Sequence, residues 1–534
     1  MPRRRPLRAP VLLAAVLSVV SAMTAAAQAA PRLGAVRFPN SGGRAAQPAF
    51  LRGVLLLHSF EYRSATAAFQ EAQRADPGFA LAYWGEAMTY THPIWNEQTA
   101  DSARLVLARL GPTPEARRAR ARTPREQGYL AAVELLYGEG EKARRDTLYA
   151  EAMERLMAAY PRDDEAKAFY ALALMGLSQG VRNVPTYVRA GAIALDLFHR
   201  LPDHPGAAHY VIHAFDDPVH APLGLPAALA YSKIAPDALH AQHMTSHIFV
   251  AMGMWDETVA SNTIASGPVR ERWIAGHPSS WLHYGLLQQG RHAEGRRLLE
   301  LVRGNLAANA RPIVQWHYVG MRATQLVNAG DWIDSAGAEP VDVASVGPTI
   351  RAVDAFARGY DALRRGDQTA AEKWEAELDA SGMRDPAKDP YGPTGGTIVA
   401  ILQRELRGLV RLGAGDTGRG IALLQEAAAI EDTMTVDFGP PMVVKPSFEL
   451  LGEVLLAVGD AAGAQRAFDR SLALAPRRPL SLLGLARSAQ AAGDPATAAR
   501  SWAELRRVWS GGDPGIPGRD EAGRAVSAAE GAAR

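Results

Sequence analysis

A period of 34 residues constrains this chain more than any other feature. Gly459 and Gly493 stand 34 residues apart, as do Ala464 and Ala498, and Phe468 and Trp502. The stretch Pro446-Ser-Phe-Glu-Leu-Leu-Gly452 runs through Val458-Gly-Asp-Ala-Ala-Gly-Ala464 to Ala475-Pro476. The next begins Leu480-Ser-Leu-Leu-Gly-Leu-Ala486 and runs into Ala492-Gly-Asp-Pro-Ala-Thr-Ala498. A unit this short holds two amphipathic helices joined by a glycine turn. Neither helix buries its apolar face alone, so neighbouring units must stack to complete a core.

The unit from Lys445 to Pro476 resembles the tetratricopeptide repeat. It carries an aromatic at position 4 (Phe448), small residues at 8 and 20 (Gly452, Ala464), a turn glycine at 15 (Gly459), an aromatic at 24 (Phe468) and proline at 32 (Pro476). Near the start, Tyr62, Ala65, Phe69, Ala72 and Pro77 fit positions 17, 20, 24, 27 and 32. Further turn signals lie at Gly253, Gly290, Gly330, Gly366 and Gly415, with spacings of 36 to 49 residues. The resemblance implies an all-α fold, an α-solenoid of stacked antiparallel helix pairs forming a TPR-like superhelix. It is expected in two segments, 49–382 and 399–510, separated by a loop over 383–398 that is rich in proline and glycine.

Residues 1–29 read as an export signal. Arg3, Arg4, Arg5 and Arg8 precede an apolar run from Val11 to Ala27, and Ala27-Gln-Ala29 offers a small-x-small cleavage site. Pro31 and polar residues follow without a stop-transfer pattern, so the expectation is a cleaved signal and a bacterial periplasmic or secreted protein, not an anchored one. Elsewhere no apolar run approaches the ~18 residues of a membrane span. Residues 30–48 read as a flexible segment and 511–534 as a disordered tail. The formal charge of +2 becomes +2 − 4 = −2 once the four arginines of residues 1–29, which hold no acids, are set aside. No basic stripe with interleaved aromatics is present, which argues against nucleic-acid binding. Cysteine is absent, which excludes disulfides, thiolate metal sites and a cysteine nucleophile.

Histidine follows the period. The clusters His209-Tyr-Val-Ile-His-Ala-Phe-Asp-Asp217 and His240-Ala-Gln-His-Met-Thr-Ser-His-Ile-Phe-Val250 lie in successive units, and Pro202 and Pro236 both fit position 32. This register puts His209 and His243 at position 5, His213 and His247 at 9, His240 at 2, and Asp216 and Asp217 at 12 and 13. His58 and His92 are also one period apart, at position 13. The resemblance implies that these positions line a concave groove. Spacing of four residues stacks His209 over His213 and His243 over His247. Stacked helices lie about 8–10 Å apart, so imidazoles from both can meet at an ion with bonds of about 2.0–2.1 Å. His209, His213, His243 and His247 are therefore the candidate metal ligands, with Asp216 or Asp217 completing the site or bonding to a ligand. Neutral imidazoles suit zinc, copper, nickel or iron.

Other positions are weaker. Trp84 and Met88 fall at groove positions 5 and 9 of their unit, where they either receive an apolar ligand group or, as is commoner, pack in the core. His199, His204, His220 and His292 read as structural. His277 keeps the period with His243, but Pro278 follows it, so it is expected ahead of a helix; His283 and His317 lie in uncertain register. All three are expected to be mostly structural.

No phosphate-binding Gly-x-x-x-x-Gly-Lys loop, His-Glu-x-x-His motif or Gly-x-Ser-x-Gly elbow occurs. Family members that clamp a peptide carboxylate use lysine and asparagine at positions 5 and 9. Histidines or apolar residues stand there in this chain, so that role does not carry over. The first functional reading is an exported scaffold or binding protein whose concave groove takes a protein, peptide or small ligand. The second is a metal-binding protein or metal-dependent enzyme built on the histidine cluster.

Overall fold

A computed structural model describes residues 31–532, except 179–180, 268–275, 307–310, 331–345, 382–388, 390–391 and 436–437. The expected export signal, part of the turn at Gly330 and most of the 383–398 loop lie outside the described residues. Among those described, the chain forms twenty-five α-helices and one short antiparallel pairing of Thr91–His92 with Glu97–Gln98. Apart from the pair Ala100–Leu110 and Pro114–Arg118, consecutive helices pack on one another. The result is an all-α solenoid of stacked antiparallel helix pairs.

The Gly-Asp pairs of the sequence make the turns. Gly366, Gly415, Gly459 and Gly493 take φ of +76°, +86°, +91° and +75°, the left-handed region that ends a helix. The aspartates that follow, Asp367, Asp416, Asp460 and Asp494, each accept a hydrogen bond from a backbone N–H three residues on and so cap the next helix.

The small positions serve an aromatic wedge. Phe468 is buried between Gly452 and Gly484, and a Cβ at either glycine would overlap its ring. Phe69 sits between Gly53 and Gly85 in the same way, at the same spacing of 16 residues to each side. Without a side chain at the glycine, one ring fills the space between three helices.

The C-terminal repeats fold back onto the middle of the chain. Trp255 Nε1 donates to the Arg477 carbonyl at 3.1 Å, and Trp509 Nε1 to the Gln288 carbonyl at 3.1 Å. Arg478 is fully buried, paired with Glu449 at 2.7 Å and donating to the Tyr284 hydroxyl at 3.1 Å. A shared apolar cluster joins Val250, Trp255, Trp281 and Tyr284 to Leu482, Trp502 and Trp509.

Three boundaries differ from the sequence reading. Within 30–48, expected to be flexible, residues 31–43 run irregularly but are pinned by buried Leu33 and Phe38 and by an Ala35 N–H bond to the Asp203 carbonyl at 2.9 Å, and helical turns begin at Arg44. The tail expected to be disordered contains the helix Pro517–Ala532, which packs on Pro495–Val508, with Ala522 buried, and pairs Glu521 with Arg487 of the helix Pro479–Ala491. The helix Gly395–Gly413 begins inside the expected 383–398 loop, because Ile398, Val399, Ile401 and Leu402 supply a buried stripe that outweighs its glycines.

Candidate metal centre

The first helices of two successive units carry the histidine clusters. Pro205–Phe215 starts from a His204 cap, with Pro205 in its first turn; Leu239–Ala251 is followed by the turn at Gly253. His209 and His213 are buried on one, His243 and His247 on the other. Their facing rings are neighbours: His213 and His247 have centroids 5.3 Å apart. The quartet thus shares one region, and its His213 and His247 also stand with Asp216 so that the three have ligand atoms within 4.8 Å of one another. The four histidines divide between two triads, each with ligand atoms within 4.8 Å of one another: His209, His213 and His240, and His243, His247 and His277.

In the second triad hydrogen bonds fix the tautomers. Asn262 Nδ2 donates to the Thr258 carbonyl at 2.9 Å, which turns Oδ1 toward His243 Nδ1 at 2.7 Å. His243 therefore donates from Nδ1. His247 Nδ1 faces Asp216 Oδ2 at 3.0 Å and donates likewise. Both Nε2 lone pairs then point at each other across 3.3 Å. Burial, with the neighbouring His247, pushes His243 down to about 3. Burial pushes His247 down to about 4 against the opposing pull of Asp216. Both rings are neutral at neutral pH, so no shared proton relieves the contact. Two nitrogens on one tetrahedral ion with bonds of 2.0–2.1 Å stand about 3.3–3.4 Å apart, which is the separation found. His277 closes the triad, its ring centroid 4.6 Å from that of His243.

Asp216 lies between the triads, beside one histidine of each. Its Oδ2 lies 3.5 Å from His213 Nδ1 as well as 3.0 Å from His247 Nδ1, and Arg182 pairs with Oδ1. Burial would raise the Asp216 carboxyl, but the Arg182 charge and the two imidazole bonds hold it well below the usual carboxylate range. Asp217 plays a different part. It pairs with Arg182 at 3.1 Å and holds the turn, accepting from the N–H groups of Val219 and His220 at 3.0 Å.

A cavity of about 1560 Å³ adjoins both triads, lined by His240, His243, His277 and His317 together with Phe60 and Trp281. Trp281 stacks on His247 at 4.5 Å, and Phe438, from the segment leading to the C-terminal repeats, lies 4.9 Å from the same ring.

The remaining expected site residues lie elsewhere. His58 is buried behind the first triad, bonded to Glu165 at 2.7 Å and the Tyr210 hydroxyl at 2.9 Å, and does not reach the cavity. His204, expected to be structural, joins the same carboxylate at 3.2 Å and caps its helix. His92 sits at the rim in the short pairing, stacked on Tyr62 at 4.0 Å and 3.2 Å from Glu97. Trp84 is a core residue packed on Phe38, Tyr129 and Phe169, and Met88 is buried with its sulfur accepting from the Tyr149 hydroxyl. The N-terminal segment that supplies Phe38 covers the face that Trp84 would otherwise present.

Sequence reasoning sets His277 aside as mostly structural and does not single out Asn262 or Arg182. His277 is the first residue of the helix His277–Gln288, with Pro278 tolerated in the first turn. Its period with His243 was the available signal, and Arg182 carries the same signal, 34 residues before Asp216. Nothing local marks Asn262.

No known family and no curated protein matches the sequence. Solved structures with a similar course of the chain include the APC/C hetero-tetramer Cut9-Hcn1 (13% identity, 91% of this chain and 96% of that one, TM-score 0.29). Human IFIT1, in a dimer with m7Gppp-AAAA, gives 13% identity over 89% and 91%, TM-score 0.34. Yeast Tom70 gives 12% over 92% and 96%, TM-score 0.30. At these scores the likeness bears on no feature of the site.

Proposed function

We propose that this protein is a transition-metal protein whose histidine-held ion faces a ligand cavity. The observation that carries the reading is the 3.3 Å approach of His243 Nε2 and His247 Nε2, with both Nδ1 atoms engaged as donors. Hydrogen bonding from the far nitrogen to a fixed oxygen is the usual way a protein orients a metal-binding imidazole. Zinc, copper, nickel and iron(II) all suit neutral imidazoles without thiolates. Three histidines without a fourth protein ligand would suit an open site more than a closed structural zinc site. An ion held by His243, His247 and His277 would supply Lewis acidity. The chain's own contribution is to hold the rings neutral, aim them by Asp216 and Asn262, and frame the cavity with Phe60 and Trp281.

This joins the two readings of the sequence. The solenoid is the scaffold, and the groove ligand, a small molecule or a peptide segment, enters the cavity beside the ion. The signal-like residues 1–29 support a periplasmic or secreted location. Titration of the tag-free apoprotein with zinc tests the proposal. Tight binding that is lost on changing His243 and His247 together to alanine, with helical content retained, supports it. Absence of tight binding by zinc, copper(II), nickel and iron(II) contradicts it.

A further inference from the structure

We infer that the protein holds two metal ions, one per repeat, aligned by the single carboxylate of Asp216. This rests on the metal reading above and extends it to the triad His209, His213 and His240.

Three observations carry the second site. The Nε2 atoms of all three rings are buried and have no hydrogen-bond partner. A buried polar atom left unpaired is unfavourable by about 1–3 kcal/mol, and three in one place are a site waiting for an electron-pair acceptor. Next, two of the three outer nitrogens face an oxygen acceptor. His209 Nδ1 donates to the His58 carbonyl at 2.6 Å, and His213 Nδ1 faces Asp216 Oδ2. The lone pairs of His209 and His213 are thereby turned inward on Nε2, as are those of His243 and His247 in the other triad. Finally, the construction repeats. Each triad takes two rings one turn apart from one helix and a third from the first turn of the next unit's first helix: His240 in Leu239–Ala251, His277 in His277–Gln288.

The two sites stay distinct because His213 and His247 meet through their Nδ1 atoms on Asp216 and direct their Nε2 atoms apart, into separate triads. His240 of one triad and His243 and His277 of the other line the same cavity, so one ligand can reach both ions. Phe60 packs against the first triad, 4.3 Å from His209 and 5.6 Å from His240, as Trp281 does against the second.

The test counts metal on apoprotein titrated with zinc and with cobalt(II), whose visible absorption reports a tetrahedral nitrogen site. Wild type is expected to bind two ions per chain. His240→Ala and His277→Ala, at partly exposed rings in helix first turns, are each expected to keep one ion and weaken the other at least tenfold. His240→Gln and His277→Gln serve the same purpose should alanine disturb folding. Asp216→Asn is expected to weaken both sites by 10–100-fold. One ion in wild type, abolished alike by either variant, overturns the two-site inference but leaves the metal reading intact. No bound ion overturns both.

Discussion

His243 Nε2 and His247 Nε2 stand 3.3 Å apart, each the only free nitrogen of a buried neutral ring. One turn of helix brings the rings together, while Asn262, on the following helix, and Asp216, just past the end of Pro205–Phe215, decide which nitrogens face each other. A coordination geometry is thus set by hydrogen bonds outside it.

Asn262 is hydrogen-bonded to His243, one of the six histidines. Replacing it by leucine removes the acceptor that fixes the tautomer. Affinity at the His243 site is expected to fall about 10–100-fold, with the His209 site unchanged, as read by competition with a chromophoric chelator.

The pH dependence of stability has a share that lies outside the triads. His283 is buried against Gln325 and pushed down by burial to about 4. Above pH ~6.5 it is neutral in folded and unfolded chains alike. Between 6.5 and 4 the unfolded chain takes up a proton that the folded chain refuses, so stability falls as pH falls. A shift of this size is worth about 3 kcal/mol at the acid end. His283→Gln is expected to flatten the stability–pH curve in that window by about this amount, measured by urea denaturation at a series of pH values.

Phe468 fills the gap that Gly452 and Gly484 leave. Phe468→Ala empties a space no neighbour can enter without backbone movement, and is expected to lose about 3–5 kcal/mol. Gly484→Val is expected to destabilise through overlap with the ring, and less so in the Phe468→Ala background. A double-mutant cycle of unfolding midpoints checks both.

The fold-back of the C-terminal repeats turns on a buried ion cluster. Glu449 accepts from Arg478 at 2.7 Å and Lys445 at 3.0 Å. Arg478→Ala leaves the carboxylate short of one cation and Tyr284 without its donor, and is expected to destabilise by about 3 kcal/mol or more. Earlier loss of the near-ultraviolet tryptophan signal on heating is the readout, since Trp255, Trp281 and Trp509 lie at that junction.

Much of this was legible in the sequence because stacked units carry equivalent residues to equivalent places. The period alone put His209 with His243 and His213 with His247 on facing helices, and the Gly-Asp pairs marked the turns. It did not separate the quartet into two triads, since that depends on ring tautomers set by Asp216, Asn262 and the His58 carbonyl. His277 was discounted because proline disfavours helix for the residue before it. At a helix start that restriction is weak, and the ring reaches the cavity from the first turn. The return of Arg477, Arg478 and Trp509 onto residues 255–290 follows from rotation accumulated over many units, which no local pattern records. Phe38 and Leu33 were apolar anchors in a segment whose other residues looked like linker.

Anomalous diffraction at the absorption edge of zinc, on crystals of the reconstituted protein, tests the account most directly. A peak about 2.0–2.1 Å from both His243 Nε2 and His247 Nε2, with a second among His209, His213 and His240, is the predicted result. Crystals with no peak at either triad, or with zinc only on surface side chains, would contradict it.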